Sequence, residues 1–187
     1  MNDQPPLVKE MENSVLIRFQ DCDPYGHLNN ARYMDYFLNA RQDQLAQFYN
    51  FHIFSDGRLM NHNWVVSKTQ IAYLQPAAVM EETFIRTCLI QMGQRVLVIE
   101  AVMLDKTKRR VKAFAWIEFT YFNLATGRAG SHPEDLMAFF RAVIINDVYE
   151  PDGFNQRIDA VRLQYRKREP VGGASSADGG SDEGSTE

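Results

Sequence analysis

Apolar and polar positions alternate over residues 14–20, with Val15, Ile17 and Phe19 on one side and Ser14, Leu16, Arg18 and Gln20 on the other. That period of two predicts a strand. It breaks at Asp21-Cys22-Asp23-Pro24-Tyr25-Gly26, where Pro24 disfavours helix at Asp23 and Gly26 can take positive φ, so a defined turn is expected. Asn29-Asn30 then predicts a helix start, because asparagine caps helices well. Over residues 31–48 the period lengthens: Tyr33, Tyr36, Phe37, Ala40, Gln44, Leu45 and Phe48 share one stripe, widened by Met34 and Leu38. A helix apolar over so much of its circumference is expected to be enclosed on several sides.

Four runs with strand character follow, at residues 64–74, 83–92, 95–104 and 111–122, separated by turn signals at Gln75-Pro76, Gly93 and Asp105-Lys106-Thr107-Lys108. With the first strand they predict an α+β fold, a largely antiparallel five-stranded sheet with one long early helix. Ser131-His132-Pro133-Glu134 has the spacing of a capping box for a second helix bearing Leu136, Phe139, Phe140 and Val143. A weaker helical period at Ile158, Val161 and Tyr165 marks residues 150–169 as a C-terminal extension with helical character. The polar segment 1–13 reads as a flexible arm and 14–149 as the single folded domain. Residues 170–187, Gly/Ser-rich without an aromatic or basic side chain, read as a disordered acidic tail.

Charge and cysteine content narrow the function classes. The net charge is -4, and all twenty Lys and Arg precede Pro170 while four of the twenty-four acids follow it, so the body is formally neutral. A neutral body does not suit a nucleic-acid binder. Cys22 and Cys88 cannot form a disulfide framework or a four-thiolate metal site, and neither sits in a Cys-x-x-Cys pair. No apolar run approaches the length of a membrane span and no secretory leader is recognisable, so a cytoplasmic location is expected.

The densest polar cluster is Asp21, Asp23, His27, Asn29 and Asn30, between a strand end and a helix start. Unpaired N–H groups at a helix N-terminus can polarise a carbonyl, and a carboxylate upstream can face the same point. Asp23 then has two available roles, nucleophile or general base, either of which serves hydrolysis of an activated acyl group. The same residues are also those that cap turns and helices through bonds to nearby backbone.

The run Asp23-Pro24-Tyr25-Gly26-His27-Leu28-Asn29-Asn30-Ala31-Arg32-Tyr33, with Tyr36-Phe37 and Ala40-Arg41 beyond it, resembles the hot-dog-fold acyl-CoA thioesterases of the 4-hydroxybenzoyl-CoA thioesterase type. The resemblance covers roughly residues 14–140, with Ala72-Tyr73-Leu74-Gln75-Pro76 and Thr126-Gly127-Arg128. It implies a sheet curled around the long helix, Asp23 as the catalytic carboxylate, and backbone N–H groups around Asn29 and Asn30 polarising the thioester carbonyl. Gly26, His27 and Tyr33 would line or support the site. It further implies no metal or organic cofactor, coenzyme A being part of the substrate, and a homodimer or dimer-based tetramer. Leu38 and Asn39 stand where some relatives carry acids, so the chemistry rests on Asp23, with Asp35 and Asp43 nearby but off that position. The basic run at Lys106, Lys108, Arg109, Arg110 and Lys112 reads first as a solvated hairpin turn that discourages edge pairing; in the alternative reading it is a candidate contact for coenzyme A phosphates, a role for which the basic run over residues 162–168 competes. The same fold hosts dehydratases and hydratases of acyl thioesters, and a non-catalytic acyl-thioester binder is the third reading.

Overall fold

The computed structural model describes residues 7–56, 59 and 61–167. Its elements in chain order are β1 (Glu10–Leu16), α1 (Tyr33–Tyr49), β2 (His62–Tyr73), β3 (Glu82–Met92), β4 (Val96–Leu104), β5 (Val111–Asn123), β6 (Arg128–Ala129), α2 (Glu134–Val143) and α3 (Phe154–Arg166). The strands form one antiparallel sheet in the order β1-β3-β4-β5-β2, and the two-residue β6, which the hydropathy pattern did not reveal, pairs with β5. The four later strands lie within two residues of their expected bounds.

The first strand corrects the sequence reading. It lies at Glu10–Leu16 rather than 14–20, so the predicted arm over 1–13 ends before Glu10, and Met11 is buried. Phe19, expected on one side of this strand with Val15 and Ile17, is exposed in a 3₁₀ turn. The polar side chains that hid β1 are paired across long sequence distances: Glu10 with Arg86, Glu12 with Lys108, and Asn13 with Gln44.

Both faces of the sheet are covered. On one, Tyr33, Phe37 and Ala40 of α1 pack on Ile85, Ala101, Met103, Ala113, Ala115 and Ile117. On the other, Ile158, Val161 and Tyr165 of α3 pack on Val102, Leu104, Phe114 and Trp116. Strands β3, β4 and β5 are therefore buried almost continuously, which is why they read as unbroken apolar runs. The C-terminal extension is thus helical at Phe154–Arg166 and is part of the body. Glu100, fully buried, fixes it there by accepting from Arg157 Nε at 2.8 Å and Arg157 Nη2 at 2.9 Å. The tail at 170–187 lies outside the described residues.

The capping box at 131–134 is not formed. Pro133 is the N-cap of α2 without a side-chain bond, and Glu134 pairs with Arg141 at 2.6 Å. His132 is held instead by the β3–β4 turn and by β2: its backbone N–H donates to Gln94 O at 2.7 Å, Nδ1 donates to Gly93 O at 2.9 Å, and Nε2 accepts from Trp64 Nε1 at 3.0 Å.

Candidate active site

Residues 17–30 form a loop stitched to the segment between β2 and β3. Ile17 N–H donates to Glu81 O and Met80 N–H to Ile17 O; Leu28 N–H donates to Ala77 O and Val79 N–H to Gly26 O. The segment 75–81 is itself tied down by Lys112, whose buried ammonium donates to Pro76 O at 2.8 Å and pairs with Glu81 Oε1 at 2.8 Å. Lys112, counted in sequence among the contacts for coenzyme A phosphates, is therefore an internal strut.

Within the loop Asp23 organises its own turn. Its Oδ1 accepts from Tyr25 N–H at 2.9 Å and His27 N–H at 3.2 Å. Its backbone N–H donates to His27 O at 2.8 Å and its C=O accepts from Gly26 N–H at 3.0 Å. Gly26 has φ +76°, the left-handed conformation the turn requires. Oδ2 of Asp23 has no hydrogen-bond partner among the described residues, so one carboxylate oxygen is fixed by backbone donors while the other is available.

The two asparagines divide the helix start between them. Asn29 N–H donates to Asp21 O at 3.0 Å, and its side chain accepts from Ala31 N–H at 2.9 Å, capping a 3₁₀ turn at Asn30–Arg32 that leads into α1. Asn29 therefore has no spare backbone donor for a thioester carbonyl, contrary to the expectation for it; its atoms are used in holding the loop. Asn30 N–H has no such partner among the described residues, and Asn30 O accepts from Tyr73 Oη at 3.0 Å. Helix α1 proper begins at Tyr33, two residues later than expected, because the first turn is 3₁₀.

Tyr33 is buried edge-on to Tyr73, with ring centroids 5.1 Å apart. Burial pushes its phenol above the ordinary value, outweighing a backbone bond from Ala77, so it stays protonated. The His27 ring has no hydrogen bond or ion pair among the described residues. Asp21, the second acid of the cluster, is engaged: it accepts from Tyr36 Oη at 3.0 Å and lies 3.9 Å from Arg32 Nε. Of the other acids, Asp35 pairs with Arg32 at 3.1 Å, and Asp43 lines a separate groove with Asp21, Tyr36 and Asn39.

The cysteines are poor rivals to Asp23 as nucleophile. Burial, then the charges of Asp21 and Asp23, raise the Cys22 thiol, and burial pushes Cys88 up to about 12. Among the described residues no group of three His, Cys, Asp or Glu is arranged to hold a metal ion. No helix there is long and apolar enough to cross a membrane.

With this geometry in view, residues 17–140 match the model of the thioesterase-like superfamily. The chain belongs to that superfamily. Long-chain acyl-CoA thioesterase FadM of Escherichia coli K12 is 29% identical over 121 residues, 64% of this chain and 88% of that protein. The solved structure of YbaW, a probable thioesterase from Escherichia coli, is 26% identical with a TM-score of 0.59, covering 71% of this chain and 98% of YbaW. That of Slr0204, a 1,4-dihydroxy-2-naphthoyl-CoA thioesterase from Synechocystis, shares the fold at 10% identity with a TM-score of 0.63, over 71% of this chain and 96% of Slr0204. The hot-dog fold of these thioesterases, a curled antiparallel sheet with its helix, is the fold expected from the sequence. The matched span contains Asp23, Asn30 and Tyr33 and stops short of α3.

Proposed function

We propose that the protein hydrolyses acyl-CoA thioesters to the free acid and coenzyme A, with water as second substrate and no metal or organic cofactor. The observation that carries this reading is the half-engaged carboxylate of Asp23, with Oδ1 locked by two backbone N–H groups and Oδ2 without a partner among the described residues, in the same stitched loop as the Asn30 N–H, which also has none among them. Family membership and the likeness to FadM support it.

In the reaction, Asn30 N–H donates to the thioester oxygen as negative charge grows there. Asp23 Oδ2 attacks the carbonyl carbon, the C–S bond breaks, and the thiolate leaves to be protonated; water then cleaves the acyl–Asp23 anhydride, releasing acid and restoring the carboxylate. In the general-base variant Asp23 takes a proton from water as the water oxygen attacks the same carbon; the C–S bond then breaks, the acid is released, and the proton passes from Asp23 to the departing thiolate, restoring the carboxylate. Both use the same two groups. Tyr33 walls the site, His27 and Gly26 set the turn that aims Asp23, and Asn29 caps the helix start.

The assembly we propose is a homodimer or a dimer of dimers. Among the described residues strand β2 pairs on one side only, with β5, and it exposes Val65, Val66 and Tyr73, an edge that a second copy can cover. Light scattering of the purified chain measures this directly.

The test of activity is a panel of fatty and aromatic acyl-CoA esters with thiol detection. Stoichiometric release of thiol and acid without change in enoyl absorbance is expected. Enoyl formation without thiol release would establish a dehydratase instead, and ligand binding without either would establish a non-catalytic binder.

A further inference from the structure

The two basic runs that the sequence set in competition meet in space. Arg109 and Arg110, on the β4–β5 turn, and Arg162 and Arg166, one helical turn apart on α3, line a single groove of about 610 Å³ together with Gln75 and Thr107. The neighbouring lysines are committed elsewhere: Lys106 to Glu82, Lys108 to Glu12, and Lys112 to Glu81 and Pro76. The arginines are not. Arg109, Arg110 and Arg166 have no carboxylate within ion-pair distance among the described residues, and Arg162 has only the exposed Asp159 at 3.8 Å.

The one acid of the groove, Asp105, is occupied in shaping it. Its Oδ1 accepts from the backbone N–H of Arg109 at 2.9 Å and of Arg110 at 3.0 Å, and Oδ2 accepts from the Thr107 hydroxyl at 2.7 Å. Helix α3 is a fixed platform, because Ile158, Val161 and Tyr165 are buried and Arg157 is locked on Glu100. Four arginines lining a concavity of this size suit a small polyanion with several phosphate groups better than a flat protein surface.

The groove and the Asp23 loop are joined through the segment between β2 and β3. Gln75 lies two residues before Ala77, whose carbonyl accepts from Leu28 N–H at 2.8 Å in the Asp23 loop. Two residues span at most about 7 Å. A pantetheine arm has about as many backbone bonds as four to five residues and so reaches roughly 15 Å when extended.

We propose that this groove takes the phosphate-bearing adenosine end of coenzyme A, with α3, an element outside the family-matched span, supplying half of its charge. The proposal rests on the thioesterase reading and sharpens it: the thiol carrier is coenzyme A rather than a carrier protein, and Arg162 and Arg166 help select it.

The test compares wild type with R162A/R166A on one acyl group carried by coenzyme A, by 3′-dephospho-coenzyme A, by pantetheine and by an acyl carrier protein. The double variant should raise KM for the coenzyme A ester about ten-fold or more with kcat little changed, as expected for loss of two charge-assisted contacts. The pantetheine ester should be unaffected and the dephospho ester should show a smaller effect. Calorimetry with adenosine 3′,5′-bisphosphate supplies a readout independent of hydrolysis: wild type should bind in a salt-sensitive manner and the variant at least about ten-fold more weakly. Circular dichroism confirms that the variant is folded. Equal bisphosphate binding by the two proteins overturns the proposal, as does a KM effect confined to the carrier-protein ester. Absence of hydrolysis with bisphosphate binding lost in the variant would reject the proposed activity while leaving the groove in place.

Discussion

Glu100→Gln tests how α3 is held to the sheet. The Glu100 side chain is 0% exposed and accepts four donors: Arg86 Nη2 at 2.7 Å, Arg157 Nη2 at 2.9 Å, Arg157 Nε at 2.8 Å and Trp116 Nε1 at 3.4 Å. Glutamine keeps the shape but removes the charge, and in either amide orientation its NH₂ faces two donors. Arg86, 3% exposed, then keeps only the half-exposed Glu10 as a carboxylate partner, while Arg157, 22% exposed, can turn partly to solvent. Removing one partner of a buried ion pair typically costs about 3–5 kcal/mol, and the relief available to Arg157 places this case near the lower end, about 3 kcal/mol. Against the roughly 5–15 kcal/mol stability of ordinary domains this is a large fraction. In urea, with a slope of about 2 kcal/mol per M, the midpoint should fall by about 1.5 M. Arg157→Met leaves Glu100 paired with Arg86 and should cost less, about 1–2 kcal/mol. A Glu100→Gln loss below about 0.5 kcal/mol would refute the clamp, since a buried carboxylate binding two cations cannot be neutralised so cheaply.

Three further outcomes are expected. Burial holds the His132 imidazole below its ordinary pKa of 6.5 despite the opposing bond to Gly93, so the unfolded chain protonates first. That stability contribution is full above about pH 6.5 and is lost as pH falls through the folded value; the urea midpoint of wild type should drop over this window more than that of His132→Gln, and parallel pH profiles would contradict the assignment. Gly26→Ala meets nothing closer than Val79 Cγ1 at 3.9 Å, so its cost is the left-handed backbone alone, about 1–2 kcal/mol in chemical denaturation, accompanied by a lower kcat because Asp23 is displaced. Lys112→Met should lower the rate and the thermal midpoint together, since it frees Pro76 and leaves Glu81 without its cation; unchanged kinetics would show that the 75–81 segment does not position the site.

What could be read in the sequence was what local periodicity encodes. Strands β3 to β5 were legible because burial on both faces makes them near-continuous apolar runs between turn signals, and the core stripe of α1 because Tyr33, Phe37 and Ala40 recur at helical spacing. The first strand was misplaced because Glu10, Glu12 and Asn13 satisfy their polarity through Arg86, Lys108 and Gln44, partners no local window contains. The Ser131–Glu134 spacing failed for the same reason: His132 answers to Gly93, Gln94 and Trp64 rather than to its own helix. Within the candidate site, the turn through Asp23 and Gly26 followed from Pro24 and the glycine. The unequal use of Asn29 and Asn30 did not, because it depends on the bond from Asn29 N–H to Asp21 O. Nor could one sequence show Arg109 and Arg110 sharing a groove with Arg162 and Arg166, which requires α3 to lie on the outer face of the sheet.

The most direct measurement is kcat for Asp23→Asn on the best acyl-CoA substrate. Asparagine can still accept from Tyr25 and His27 through its amide oxygen, so the turn and the fold are retained while the nucleophile or base is lost. A fall of about 10²–10⁴-fold in kcat with KM little changed is predicted. A folded Asp23→Asn protein that releases thiol within a few-fold of the wild-type rate would contradict the assignment of Asp23 as the group that carries the hydrolysis.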